Sequence, residues 1–186
     1  MNWDVFNVAV IGTSLSAGQA WQPVVRSRLQ LLTDRPIIFH DFGRPGFSSV
    51  QLRDTVGSKP ANINPRKLII ECGMNDAGVT LISTFKNQVQ DIINMAAGRI
   101  SMSDILLMTM NPAIAPAPTV TINGCPVIYQ GLRDLAASNN CGLIDNHPLW
   151  TSPTTTDIPD GVHPTIAALK SYGIISNIVS ALSARL

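Results

Sequence analysis

Three short segments of the sequence carry side chains that together could catalyse acyl transfer. Ser14 follows an apolar run in VIGTSLSAG, Asn75 lies in GMND, and Asp160 and His163 lie in DGVHP. A serine hydroxyl becomes a good nucleophile only when a neighbouring base takes its proton, and histidine is the usual base. An aspartate near the histidine can orient the ring and stabilise its charged form. These residue types predict a serine hydrolase with Ser14 as nucleophile, His163 as base and Asp160 as its acidic partner.

Each of these residues also has a simpler interpretation. Serine and asparagine are common in turns and at helix ends, and histidine is common in surface loops. Ser16 is expected to be a turn or capping residue, and Asp76 is expected to brace its loop. The combination of a serine, an asparagine and an Asp-x-x-His segment therefore favours catalysis more strongly than any one residue does.

Short apolar runs alternate with segments of helical periodicity along the chain. Strand-like runs cover residues 5–12, 36–42, 67–73, 104–110 and 141–145, and residues 111–124 are predicted to be a loop. Such alternation is typical of right-handed β-α-β units around a parallel sheet. We therefore predict one α/β domain over residues 1–186. Its expected form is a three-layer flavodoxin-like sandwich, with a five-stranded parallel sheet of order 2-1-3-4-5 and helices on both faces.

Sheets of this kind carry their functional residues at the carboxyl ends of the strands. Ser14 follows the first strand, Gly46 follows the second, and Asn75 follows the third. Asp160 and His163 follow the fifth strand, after a loop rich in threonine and proline. The predicted fold therefore brings all of these residues to one edge of the sheet.

The motifs and their order resemble those of the SGNH (GDSL-type) serine hydrolases. GTSLS resembles the first sequence block of that family, GRPGFS the second, GMND the third and DGVHP the fifth. The resemblance implies that Ser14 is the nucleophile and that Asp160 and His163 complete a catalytic triad. It also implies an oxyanion hole formed by the backbone N–H groups of Ser14 and Gly46 and by the side-chain amide of Asn75.

One position departs from this resemblance, because the chain has Thr13 where the family usually has an aspartate that braces the loop. The departure bears on loop rigidity and substrate fit rather than on the nucleophile. The resemblance implies a metal-independent esterase or deacylase that needs no cofactor and forms an acyl-enzyme intermediate. Its expected substrate is a small acyl ester, such as an O-acetyl group on a carbohydrate. The apolar side chains of 111–124 are candidates for the wall of an acyl pocket.

Other functions stay open at this point. The family also includes lysophospholipases and thioesterases, and a member without activity would serve as a binding module. A flavodoxin-like cofactor binder is a further alternative, because GTSLSAG could hold a phosphate at a helix N-terminus. That alternative leaves GMND and DGVHP unexplained. The G-x-S-x-G elbow of the α/β-hydrolases is absent, because Ser16 stands where its second glycine would be.

Composition limits the remaining classes of partner. The net charge is +1 without a basic run, and no apolar stretch reaches 18 residues, so neither nucleic-acid binding nor a membrane span is expected. The first ten residues lack the basic region of a signal peptide, so the default expectation is a cytoplasmic protein with free thiols. A disulfide between Cys125 and Cys141 is the alternative. Charged residues make up only 13%, which is compatible with a homo-oligomer or a place in a larger assembly.

Overall fold

A single sheet of five parallel strands organises the fold. The computed structural model describes residues 4–18 and 21–184. The strands are β1 (Phe6–Ile11), β2 (Ile37–Asp41), β3 (Lys67–Glu71), β4 (Ile105–Thr109) and β5 (Gly142–Asp145). Their order across the sheet is β2-β1-β3-β4-β5, and every pair of neighbours runs parallel. The predicted α/β class and strand order are therefore confirmed.

The three central strands consist mostly of buried apolar residues. Every residue of β3 and β4 is buried, and only Asn7 of β1 is partly exposed. The two edge strands, β2 and β5, are more exposed. This pattern arises because helices cover both faces of a parallel sheet, so that its central strands cannot alternate between core and solvent.

In the described part of the chain, six α-helices connect and flank the strands. They are α1 (Gln22–Gln30), α2 (Ser49–Val56), α3 (Ile82–Ala97), α4 (Thr119–Asn139), α5 (Ile166–Ser171) and α6 (Ile174–Ser183). Helices α1 and α6 pack against each other, while α3 packs against both α2 and α4. Short 3-10 helices cover Lys59–Asn62, Met102–Asp104 and His147–Leu149. The helices thus form two layers, which completes the predicted three-layer arrangement.

Two helical segments differ from the sequence-based expectation. Helix α4 begins at Thr119, inside the segment 111–124 that was predicted to be a loop, and it continues through Pro126. Buried side chains of Cys125 and Ile128 lie along this helix, so tertiary packing outweighs the local effect of the proline. Helix α5 was not predicted. It has only six residues, and its N-terminus is capped by Thr165 Oγ1, which accepts a hydrogen bond from the backbone N–H of Ala168.

Two further expectations can be compared with the structure. Cys125 and Cys141 are both free, so the alternative of a disulfide between them is wrong. Within residues 4–18 and 21–184, no helix has the length and apolar character that crossing a bilayer requires. The assignment of residues 1–186 to one domain stays a prediction.

Candidate active site

The loop after β1 presents Ser14 in a tight turn. The backbone N–H groups of Ser16 and Ala17 both donate to the carbonyl oxygen of Thr13, at 3.2 and 2.9 Å. Ser14 is half-buried, while Thr13 and Ser16 on either side of it are buried completely. The turn therefore directs the side chain of Ser14 outwards, whereas those of Thr13 and Ser16 are held in the protein.

A relay of two hydrogen bonds joins Ser14 to the loop between β5 and α5. His163 Nε2 lies 2.8 Å from Ser14 Oγ, and His163 Nδ1 lies 2.6 Å from Asp160 Oδ2. A carboxylate only accepts hydrogen bonds, so Nδ1 carries the ring proton and Nε2 is left to accept from the serine hydroxyl. The two partners thus select the tautomer in which the ring can act as a base towards Ser14.

Asp160 is held in its ionised form by its own loop. Partial burial raises the pKa of Asp160. Hydrogen bonds from the His163 backbone, the His163 ring and the Val162 backbone outweigh this effect and lower the pKa to about 2. The two backbone N–H groups lie 2.7 and 2.9 Å from Asp160 Oδ1. The side chains of His163 and Asp160 are 48% and 56% exposed, so the relay lies at an open surface.

Asn111, two residues after the end of β4, forms hydrogen bonds that hold the loop of His163. The side-chain NH2 group of Asn111 donates to the carbonyl oxygen of Val162 at 2.7 Å, and the backbone carbonyl oxygen of Asn111 accepts from the Tyr129 hydroxyl at 3.1 Å. The backbone N–H of Ile114 donates to the carbonyl oxygen of Gly161 at 2.9 Å. The beginning of the segment 111–124 therefore anchors the residues just before His163. Sequence reasoning missed Asn111, because nothing in its local sequence indicates this contact.

Gly46 and Asn75 come from two loops that are bonded to each other and to the serine loop. The Asn75 side-chain amide donates to the carbonyl oxygen of Phe47 at 3.0 Å. The backbone N–H of Arg44 donates to the carbonyl oxygen of Gly12 at 2.8 Å. Gly46 has a φ of +77°, a backbone angle that residues other than glycine rarely adopt. The bond to Phe47 orients the Asn75 amide and leaves its second N–H for a ligand.

The backbone N–H groups of Ser14 and Gly46 are also available. Neither has a hydrogen-bond acceptor within the part of the chain that the structure describes. Together with the second N–H of Asn75, they are the three donors that the sequence resemblance implies. Unpaired N–H donors that face a reacting carbonyl can stabilise the negative oxygen of its tetrahedral intermediate.

Asp76 braces the third loop, as predicted. Its buried carboxylate accepts hydrogen bonds from the backbone N–H and the hydroxyl of Ser49 and from the hydroxyl of Thr80. Burial raises the pKa of Asp76, and these hydrogen bonds oppose that shift. Asp76 thus ties the start of α2 to the loop that carries Asn75.

Comparison with known proteins places this arrangement in a family. Residues 10–168 match the GDSL-like lipase/acylhydrolase family. The chain belongs to this family. A search of curated protein sequences gave no match.

Solved structures share the GDSL-like fold of this chain at low sequence identity. A lipase/acylhydrolase from Enterococcus faecalis is 19% identical, with a TM-score of 0.75 over 97% of this chain and 96% of that one. TesA is 18% identical, with a TM-score of 0.76 over 97% and 99%. A catalytic mutant of an acetylxylan esterase from Geobacillus stearothermophilus is 13% identical, with a TM-score of 0.77 over 95% and 93%. At these identities the similarity concerns the fold.

Ser16 lies in the turn of the serine loop, which is one of the two positions predicted for it. Its hydroxyl does not cap a helix but donates to Glu71 Oε2 at 3.0 Å. Thr13, which replaces the usual aspartate, also bonds to Glu71. Sequence reasoning missed Glu71, although one signal was present, because an acidic residue at the end of the apolar strand KLIIE needs a specific partner.

Proposed function

We propose that this chain is a metal-independent serine esterase that hydrolyses small acyl esters through an acyl-enzyme intermediate. Membership of the GDSL-like family already makes it a hydrolase of the acylhydrolase type. The observation that carries the finer proposal is the relay from Ser14 Oγ through the His163 ring to Asp160, with distances of 2.8 and 2.6 Å. It joins a nucleophile, a base and an acid in the order that acyl transfer requires.

In the proposed first half-reaction, Ser14 Oγ attacks the ester carbonyl while its proton passes to His163 Nε2. The charged ring is stabilised by the ionised Asp160. The tetrahedral intermediate collapses when the bond to the leaving alcohol breaks, and His163 gives its proton to that oxygen. The product is an acyl ester on Ser14.

In the second half-reaction, a water molecule takes the place of the alcohol. His163 removes a proton from the water as the oxygen attacks the acyl carbon. The bond to Ser14 Oγ then breaks, the proton returns to the serine, and a carboxylic acid leaves. In both halves the N–H groups of Ser14, Gly46 and Asn75 are the proposed donors to the developing oxyanion.

An O-acetyl group on a carbohydrate is the proposed natural substrate. The side chains of His163 and Asp160 are about half exposed, which leaves room for a bulky alcohol such as a sugar. A small acyl group also needs no deep pocket beside Ser14. The similarity to an acetylxylan esterase is in accord with this proposal.

A second candidate function is the hydrolysis of longer acyl chains, as in a lysophospholipase or thioesterase. The observation that favours it is an apolar groove beside the loop of Asn75. This groove lies between residues 78–82 and the residues Gly124, Val127 and Ile128 of α4. Val79 and Leu81 are 73% and 75% exposed there, so an alkyl chain would cover apolar surface that water now contacts.

A chain-length series distinguishes these two candidates. We would measure the hydrolysis of p-nitrophenyl esters from acetyl to palmitoyl with a chelator present, for the wild type and for Ser14→Ala. The proposal expects turnover that peaks at acetyl, persists with the chelator and is lost in the variant. Turnover that persists in Ser14→Ala would contradict the serine mechanism.

The apolar groove can be tested with its own variant. If longer esters are the preferred substrates, Leu81→Ser is expected to lower kcat/KM for octanoyl esters and to leave acetyl esters unchanged. If acetyl esters are preferred, Leu81→Ser changes neither. No turnover on any ester by a folded protein would instead favour a binding module.

A further inference from the structure

A fully buried carboxyl group lies under the serine loop. Glu71 is the last residue of the central strand β3, and its side chain has no exposed surface. Its Oε2 accepts hydrogen bonds from the Thr13 backbone N–H at 2.9 Å and from the Ser16 hydroxyl at 3.0 Å. The Thr13 hydroxyl lies 3.1 Å from both carboxylate oxygens. All three donors thus come from the two residues that enclose Ser14 and Leu15.

None of these donors is charged. Within residues 4–18 and 21–184, no lysine, arginine or histidine forms a hydrogen bond or ion pair with Glu71. At the other end of the same strand, buried Lys67 pairs directly with Asp104 at 2.8 Å. Burying a carboxyl group without a cation is costly unless its hydrogen bonds compensate. At Glu71 that compensation comes from the serine loop.

We propose that Glu71 is a positioning residue for the nucleophile, acting through Thr13 and Ser16 to hold Ser14 Oγ opposite His163 Nε2. This inference rests on the proposed serine mechanism. Glu71 itself does not touch the reacting atoms in this scheme. It holds the loop at two points, one on each side of the nucleophile.

Thr13 is the matched partner of Glu71. Its hydroxyl donates to the carboxyl group and accepts from the backbone N–H of Leu15 at 3.3 Å, so it links the strand to the residue just after Ser14. The peptide group between Thr13 and Ser14 also contains the Ser14 N–H, one of the three proposed oxyanion donors. A loose loop would therefore misplace the nucleophile and one donor together.

The effect should appear in kcat rather than in KM. Displacing a reacting group by about 1 Å can lower the rate of a positioned reaction about 100-fold. We expect Glu71→Ala to lower kcat by about that factor while KM changes by less than about threefold. Glu71→Gln keeps an oxygen that can accept from Thr13 and Ser16, so it should retain at least about tenfold more activity than the alanine variant.

Two sets of variants provide matched controls. Lys67→Met removes a buried charge from the other end of β3 and should leave the kcat of the folded protein unchanged. Thr13→Ser keeps the hydroxyl and should match the wild type, whereas Thr13→Val should lose part of the activity that Glu71→Ala loses, because the Thr13 backbone N–H and the Ser16 hydroxyl still bond to Glu71. The double variant Thr13→Val with Glu71→Ala should be little worse than Glu71→Ala alone, because Glu71→Ala already removes the bond to the Thr13 hydroxyl that Thr13→Val removes.

Labelling of Ser14 by a fluorophosphonate distinguishes a failure of the serine mechanism from a failure of the positioning role of Glu71. If the wild type is not labelled, or if Ser14→Ala is, the serine mechanism fails. If the wild type is labelled and folded Glu71→Ala is labelled equally fast with unchanged kcat, the positioning role of Glu71 fails. Equal losses of kcat in Glu71→Ala and Lys67→Met would also overturn it. If Glu71→Ala does not fold, the comparison of Thr13→Val with Thr13→Ser decides.

Discussion

Replacing Asp160 tests the acidic member of the proposed triad, and asparagine is expected to be worse there than alanine. Asp160 Oδ1 accepts from two backbone N–H groups, and Oδ2 accepts from His163 Nδ1. An asparagine has one oxygen and one NH2 group. If its oxygen keeps the two backbone bonds, its NH2 group donates to Nδ1, and the ring proton moves to Nε2. That tautomer cannot accept the proton of Ser14.

The size of the effect follows from the competing hydrogen bonds. The flipped asparagine restores the bond from Nδ1–H but loses both backbone bonds, which at an open site contribute about 0.5 kcal/mol each. A total of about 1 kcal/mol favours the inactive tautomer about fivefold. Loss of the negative charge beside the protonated ring lowers the rate further. We expect kcat to fall about 100- to 1,000-fold, which is less than the roughly 10,000-fold measured for a buried triad.

Asp160→Ala is the informative comparison. It removes the NH2 group, and because Asp160 is 56% exposed, water can take over the bond to His163 Nδ1. The alanine variant should therefore keep at least about fivefold more activity than the asparagine variant. The assay is kcat for p-nitrophenyl acetate, with active sites counted by fluorophosphonate titration. An asparagine variant within threefold of the wild type, or one more active than the alanine variant, would refute this reasoning.

Three further predictions concern the neighbouring loops. Asn75→Ala should lower kcat about 100- to 1,000-fold by removing one oxyanion donor, with KM for p-nitrophenyl acetate nearly unchanged, and full activity would exclude the amide from the mechanism. Gly73→Ala should destabilise the protein, because Gly73 has a φ of +115° and a Cβ there would lie 2.4 Å from Ile128 Cγ2. Urea unfolding measures this effect, and an unchanged free energy of unfolding would contradict the prediction. Burial raises the pKa of Glu71, so its contribution to stability is complete below the pKa of the unfolded chain and is lost as pH rises through the folded pKa. The stability of Glu71→Gln relative to the wild type should accordingly increase from pH 4.5 to 8 in urea unfolding, and a flat difference would show that Glu71 does not titrate there.

Much of the fold could be predicted because the sequence contains the continuous apolar runs that a parallel sheet covered on both faces requires. Strands β1, β3 and β4 read as continuous apolar runs, since both faces of a covered parallel sheet are buried. The start of α4 could not be predicted in this way. Pro126 disfavours a helix locally, and only the packing of side chains such as Ile128 against the rest of the protein outweighs it.

The candidate site likewise contains some residues that the sequence indicates and others that only the structure reveals. Ser14, Asn75, Asp160 and His163 stand in short motifs whose residue types and spacing already suggest their chemistry. Asn111 and Glu71 have no such local signature, because each acts on a loop far away in the sequence. Glu71 contacts Thr13 across 58 positions, and Asn111 contacts Val162 across 51.

The sequence by itself determined which groups are present and at which edge of the sheet they emerge, because strand ends follow from local periodicity and the carboxyl ends of parallel strands share one edge. Only the tertiary structure decided how they are oriented. The tautomer of His163 depends on a contact with Ser14 across 149 positions, and the placement of Ser14 depends on a buried acid in another strand. Hydrogen-bond direction and burial are properties of the packed chain, so they become visible only when distant segments are brought together.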